Sequence, residues 1–258
     1  MARLAGEVAL ITGSTSGLGV ELARLFAAEG ARVLVTGRDP ERGRAVAERI
    51  ACEGGLARFE RVDLAQPGAA EALVAAALRH FGALSVLVNN AVGAAGPSAD
   101  GPAAEVSAET WEAKLRVDLI APGLLIRAAI PEMMRAGHGS IVNISSRTAE
   151  RATPGLAVYT AAKGGLNALA RSVATDYAKH GIRCNTVQPG YIWHERRDAE
   201  IAPERRERVQ AMHLTRVPTA RDVAFAALFL ASREAEVITG VTLQVDGGSS
   251  IARARAFG

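Results

Sequence analysis

Cysteine is nearly missing from this sequence. Cys52 and Cys184 are the only two, too few for a disulfide framework. Cys184 lies in an apolar run and reads as a small core residue. A reducing, cytoplasmic setting is expected. Lysine is almost as scarce: Lys114, Lys163 and Lys179 are all there are, so most of the 30 basic residues are arginine. Acidic residues number 27 and are interspersed with them, for a net charge of +3. No lysine tract or aromatic-interleaved basic stripe appears, which argues against a nucleic-acid partner. No uninterrupted apolar stretch could span a bilayer, and Met1 to Glu7 lacks the apolar core of a signal peptide, so no membrane partner is expected. No His/Cys/Asp cluster has metal-ligand spacing, so no metal is expected. Repeats and low-complexity linkers are also lacking, and residues 1–258 read as one domain. At 49% hydrophobic, that length suits an α/β domain whose sheet is covered on both faces.

What is present begins with Val8 to Thr12, a short apolar run suited to a doubly buried strand. Gly13-Ser14-Thr15-Ser16-Gly17-Leu18-Gly19 follows, then a helical pattern from Val20 to Glu29 closed by Gly30. Three glycines in a serine-rich loop can be an ordinary turn. Their place between a strand and a helix favours a phosphate cradle: Gly13 for a tight turn, Gly17 for close backbone approach, Gly19 for helix–sheet packing. Arg32 to Thr36 is a second strand, ending at Gly37-Arg38-Asp39-Pro40. An acid at that strand end would hold the adenosine ribose of NAD, but Gly37 stands there. Asp39-Pro40 reads as the N-cap and first residue of a helix. Arg38, otherwise a solvated surface residue, is placed to neutralise a 2′-phosphate. NADP(H) is therefore the preferred cofactor, with NAD(H) possible.

A third strand is expected over Phe59 to Leu64, with Asp63 facing the adenine amino group or capping the helix after Pro67. Leu84 to Val88 is a fourth, followed by Asn89-Asn90-Ala91, whose amides can fix the loop beside the cofactor or serve turn chemistry. Ser107 to Arg135 is helical, N-capped by Ser107 and kinked or divided at Pro122. Ser140 to Ile144 is a fifth strand with Ser145-Ser146 at its carboxyl end, where ligands bind in such sheets. Arg183 to Val187 is a sixth, followed by Pro189-Gly190, and Val241 to Val245 a last one. Between them, Tyr191 to Arg216 carries six arginines against five acids. So balanced a segment reads as a solvated helical face, and its position makes 191–216 a candidate substrate lid.

Tyr159 and Lys163 open a helix that runs to His180, with Gly181 just past its end. A spacing of i, i+4 puts both on one face, and a fixed cation favours the phenolate of a neighbouring tyrosine. A half-buried Tyr beside a snorkelling Lys would look the same in isolation.

Taken together, these pieces resemble the short-chain dehydrogenase/reductase family. The matching residues are Thr12-Gly13-x-x-x-Gly17-x-Gly19, Asn89-Asn90-Ala91, Ile141 to Ser146, Tyr159-x-x-x-Lys163, Pro189-Gly190, Ile238-Thr239-Gly240 and Val245 to Gly248. They run in order through nearly the whole chain. The resemblance implies a Rossmann-type doubly wound, mostly parallel seven-stranded sheet. It also implies hydride transfer between a nicotinamide and a carbonyl or secondary alcohol. In the family the catalytic serine lies thirteen residues before the tyrosine, which selects Ser146. Tyr159 would then be the general acid, Ser146 would bond the reacting oxygen, and Lys163 would bind the nicotinamide ribose and lower the Tyr159 pKa. The implied cofactor contacts are Gly13 to Gly19, Arg38, Asp63, Leu64, Asn90, Ala91, Pro189, Gly190, Ile192 and His194, besides Tyr159 and Lys163.

Three positions depart from the family pattern. Asp118, the fourth catalytic residue that the resemblance implies, stands for an Asn that braces the active-site helix, and its negative charge is added near Tyr159 and Lys163. Val92 stands for a Gly, which is expected to crowd the cofactor or displace the loop. His194 stands for a cofactor-contacting Thr. The substrate pocket is expected from Ala94 to Ser98, Arg147 to Thr153 and Tyr191 to Arg197, with Glu150 and Arg151 pairing with each other. A 3-oxoacyl-thioester reductase and a non-catalytic dinucleotide-binding regulator are the alternatives. Apolar residues around the Tyr159 helix and along Leu124 to Ile130 suggest a homotetramer, as the family's interfaces imply.

Overall fold

The computed structural model describes residues 2–93, 100–193, 198 and 201–251. Its strands are β1 (Val8–Ile11), β2 (Arg32–Gly37), β3 (Leu56–Arg61), β4 (Val86–Asn89), β5 (Gly139–Ile144), β6 (Ile182–Pro189) and β7 (Thr242–Val245). They form one sheet in the order β3-β2-β1-β4-β5-β6-β7. Every neighbouring pair is parallel. The chain reverses its direction across the sheet between β1 and β4, and a ligand crevice opens at the carboxyl ends of strands at such a switch point.

Eight α-helices cover the sheet among the described residues: α1 (Gly17–Ala28), α2 (Pro40–Cys52), α3 (Ala69–Phe81), α4 (Ala108–Leu115), α5 (Ala121–Ala136), α6 (Ala157–Tyr177), α7 (Pro203–Ala211) and α8 (Ala220–Ala231). Strand residues alternate between two cores. Ala9, Ile11, Val33, Val35, Val86, Val88, Val142 and Val187 join Leu22 and Phe26 of α1 and Val223 and Leu228 of α8 on one face. Leu10, Leu34, Leu87, Ile141 and Cys184 join Leu73 of α3, Leu125 of α5 and Val173 of α6 on the other. Burial on both faces is why these strands read as continuous apolar runs.

The structure moves three boundaries. The third strand begins at Leu56 and ends at Arg61, before Asp63. It is an edge strand with exposed residues, so no apolar run announces it. Asp63 does not cap the next helix; Gly68 does, and the Asp63 carboxylate accepts from Ala65 N at 3.0 Å. The long helix from Ser107 is split by a π-helical turn, Arg116–Ile120, that contains Asp118. Pro122 then falls in the first turn of α5, where its missing N–H costs nothing. Ser107 and Asp39 are N-caps as expected. Of α7, Val209 alone is buried, so this helix is a solvated face.

Candidate active site

The glycine loop joins β1 to α1 at the switch point. Gly13 and Gly17 have φ of 64° and 52°, a region that favours glycine. Gly19 is required by space: a Cβ there would lie 2.2 Å from the Gly13 carbonyl oxygen and 2.9 Å from Asn90 Nδ2. Asn90 ties the loop down, donating from Nδ2 to the carbonyls of Thr12 at 2.9 Å and Gly13 at 3.2 Å. Thr12 Oγ1 accepts from the backbone N–H groups of Asn90 and Ala91. Asn89 instead turns inward and donates to Asn143. Ser14 departs from the cofactor set. It is buried, donates to the Ile11 carbonyl and accepts from Thr36 N, so it joins the first two strands rather than lining the cleft. Ser16 caps α1 with no side-chain bond, which leaves the helix's first N–H groups for an anion.

A cleft of about 360 Å³ runs over this loop, lined by Gly13, Thr15 to Gly19, Thr36 to Arg38, Val62 to Leu64, Asn90 to Gly93 and Val117. The close-approach glycines, the free helix terminus and the exposed Arg38 fit the phosphates of a dinucleotide. The Arg38 side chain makes no hydrogen bond or ion pair among the described residues, while its carbonyl accepts from Arg61 Nε at 3.2 Å. Gly37 packs on Thr15, and a Cβ there would meet Thr15 Cγ2 at 2.6 Å.

Leu18, Asn90 and Val92 also line a second cavity, of about 420 Å³, so the two adjoin. Its walls include Ser146, Arg147, Thr148, Thr153, Tyr159, Lys163, Pro189, Gly190, Tyr191 and Ile192. Three of the four expected catalytic residues thus meet at one cavity, brought there by the end of β5 and the first turns of α6. Ser145 also lines the cavity, but its hydroxyl is committed to the Lys163 carbonyl, to which it donates at 3.0 Å. Ser146 Oγ accepts from Thr148 N and Thr148 Oγ1. Lys163 is 2% exposed, its Nζ donating to the Ile144 carbonyl at 3.0 Å and lying 5.6 Å from the Tyr159 ring centre.

The charges around the phenol differ from the expected balance. Burial pushes the Tyr159 pKa up, a hydrogen bond with Ser146 pulls it down, and the Asp118 charge raises it again; the net shift is upward. Burial lowers the Lys163 pKa and the Asp118 charge offsets part of that. Lys163 therefore does not produce a net lowering in this geometry, because desolvation of the phenol dominates.

Asp118, 1% exposed, accepts from the backbone N–H of Gly93 at 2.7 Å through Oδ1, while Oδ2 is buried with no partner among the described residues. It does not line the cavity. Val92 is exposed and lines both cavities. His194 and residues 94–98 and 194–197 lie outside the described residues. Glu150 accepts from Gln244, and Arg151 donates to the carbonyls of Ser249 and Ser250. One element of the site had no sequence signal: Asp100, whose carboxylate bonds the backbone of Tyr159 itself.

A family model described as enoyl-(acyl carrier protein) reductase, of the short-chain dehydrogenase/reductase group, matches residues 13–250. The chain belongs to the short-chain dehydrogenase/reductase family. As a member of that family it is an oxidoreductase acting on alcohol and carbonyl groups with a nicotinamide dinucleotide. Among its family relatives, 2,5-dichloro-2,5-cyclohexadiene-1,4-diol dehydrogenase of Sphingobium indicum is 39% identical, over 96% of this chain and 98% of the relative. The 3-oxoacyl-acyl-carrier-protein reductase of Chlamydia muridarum is 33% identical, over 95% and 98%. Among solved structures, a gluconate 5-dehydrogenase from Burkholderia cenocepacia in complex with NADP and tartrate superposes with a TM-score of 0.88. It is 33% identical, with 97% of this chain and 98% of that one covered.

Proposed function

We propose that this short-chain dehydrogenase/reductase interconverts a secondary alcohol and a ketone on a compact polar substrate, preferring NADP(H) to NAD(H). The observation that carries this reading is the convergence of Ser146, Tyr159 and Lys163 on one cavity that adjoins the cleft over the glycine loop. The nicotinamide supplies or accepts the hydride when bound. Tyr159 gives a proton to the oxygen that becomes the alcohol, and takes it back in the reverse direction. Ser146 hydrogen-bonds that same oxygen. Lys163 holds the ribose hydroxyls beside the reacting centre. Arg38 meets the 2′-phosphate with a charge-assisted bond, and Gly37 leaves no acid to repel it. The polar-substrate reading is supported by the gluconate 5-dehydrogenase structure that holds tartrate; Arg147 and Thr153 are polar side chains in a wall that also holds Leu156, Pro189 and Ile192.

A 3-oxoacyl-thioester substrate is the second reading, favoured by the Chlamydia relative. We propose 191–216, of which Tyr191 and Ile192 line the cavity, as the substrate lid, and a homotetramer in the cytoplasm completes the reading. Light scattering at micromolar concentration tests the assembly, and a monodisperse monomer refutes it. The function is tested by following NADPH oxidation against polyol-derived ketones, keto acids and 3-oxoacyl thioesters, with wild-type protein and Tyr159→Phe. Turnover on a polar ketone that Tyr159→Phe abolishes supports the proposal. Preference for the thioester selects the second reading. NADPH binding with no Tyr159-dependent turnover on any substrate points to a non-catalytic binder.

A further inference from the structure

The catalytic helix begins without a cap of its own. Leu156 stands at the N-cap of α6 and supplies no side-chain bond, although the first N–H groups of a helix need partners. Those partners come from 58 residues away. Asp100 Oδ1 accepts from Val158 N at 3.1 Å and Oδ2 accepts from Tyr159 N at 2.8 Å. Oδ1 also accepts from Gly101 N at 2.9 Å, and the Gly101 carbonyl accepts from Ala157 N at 3.3 Å. The Asp100 side chain is fully shielded at 0% exposure, and Lys114, 5% exposed, places its Nζ 3.7 Å from Oδ2.

We propose that Asp100, held by Lys114, is a positioning residue of the reaction: by gripping the first turn of α6 it fixes where the Tyr159 phenol stands. This rests on the reading of Tyr159 as the general acid. A carboxylate that accepts three N–H bonds beside a cation is a stiff attachment, and one of those bonds is to the backbone of the catalytic residue itself. Burial works to raise the Asp100 pKa, but the bonds from Tyr159, Gly101 and Val158 and the Lys114 charge outweigh it, so the carboxylate stays ionised well below neutral pH. Lys114 and Asp118 are four residues apart, on α4 and the π turn that follows it. Through Lys114 this stretch secures the start of α6, and through Asp118 it secures Gly93 at the cofactor cleft. The spacing between phenol and cofactor is thereby referred to one short helix. Proton transfer is sensitive to that spacing, since a misplacement of about 1 Å costs on the order of 100-fold in rate.

The test compares Asp100→Ala, Asp100→Asn and the neutral pair Asp100→Asn/Lys114→Met, which removes both charges together. Asp100→Ala is expected to lower kcat roughly 10- to 100-fold. The NADPH dissociation constant should stay within about twofold of wild type, because the cradle is built on other elements. Asp100→Asn, which keeps acceptor oxygen, is expected to fall between the two. The solvent deuterium isotope effect on kcat should rise as proton transfer becomes slower. The loss should also vanish in a Tyr159→Phe background, where no phenol remains to be placed. Amide exchange at Val158 and Tyr159 should accelerate in Asp100→Ala, and this readout needs no turnover, so it stands even if the general-acid reading fails. A merely structural Asp100 would lower the melting temperature while leaving kcat and the isotope effect of the folded variants at wild-type values. That outcome, or unchanged exchange at Val158 and Tyr159, overturns the proposal.

Discussion

The two ends of the active-site crevice are built by opposite means. At the cradle end the proposed binding falls to the backbone. Gly13, Gly17 and Gly19 clear space, Thr12 and Asn90 hold the loop, and the charged residues that line the cleft, Arg38 and Asp63, are not buried. At the catalytic end Lys163, Asp118, Lys114 and the Asp100 side chain are all withdrawn from water. The difference follows from what each end handles. A dinucleotide brings its own charge, so N–H groups and one solvated arginine can receive it. A proton transfer needs charges fixed in place, and a charge interacts more strongly where water is excluded. Faults at the cradle should therefore appear as lost cofactor affinity, and faults at the catalytic end as lost turnover.

The sharpest way to break this division is to remove the catalytic groups one at a time. Ser146→Ala, Tyr159→Phe and Lys163→Ala are each expected to depress kcat by about 10²- to 10⁴-fold. Combining them should cost little more than the worst single change. Ser146→Ala and Tyr159→Phe should keep NADPH affinity near wild type by fluorescence titration; a matching loss of affinity would show that the ends are not separate. Gly19→Ala is the converse. With a Cβ 2.2 Å from the Gly13 carbonyl oxygen, it is expected to abolish NADPH binding in a protein whose circular dichroism is still native. Tight binding by that variant would refute the cradle geometry.

A smaller effect is expected at the adenosine end. Arg38→Ala should weaken NADPH by about 10- to 100-fold, the worth of one charge-assisted bond, and leave NADH unchanged. Gly37→Asp with Arg38→Ala should then favour NADH only if Thr15→Ala is added, because the Cβ at position 37 meets Thr15. A full switch without the Thr15 change would show that this contact is slack. The smallest effect is electrostatic. The Asp118 charge raises the Tyr159 pKa, so Asp118→Asn should lower it. Alcohol oxidation needs the phenolate, and its acid limb should move to lower pH, whereas a shift to higher pH would contradict the assigned sign. The kcat/KM profile against pH reads this directly.

Much of the architecture was legible because its signals are local. Strands buried on both faces are largely apolar, as Val8 to Ile11 and Val86 to Val88 are. A turn with positive φ calls for glycine, as at Gly13 and Gly17. The bounds of the edge strand β3 slipped towards the C-terminus because its outer face tolerates Arg58 and Glu60. Pro122 was read as the point of division, but the structure places a π turn just before it, and a wide turn has no residue signature.

By itself the sequence determined which apolar runs form buried strands, the glycine turn, and the i, i+4 pairing of Tyr159 with Lys163, since each depends on neighbours within a few positions. The tertiary structure alone decided the rest. It turned Ser14 inward, set Thr15 against Gly37, and bonded Lys163 to the Ile144 carbonyl. It also brought Asp100 across 58 residues to the first turn of the catalytic helix. Contacts of that kind depend on how packed layers bring distant backbone together, and burial then fixes which charges are felt.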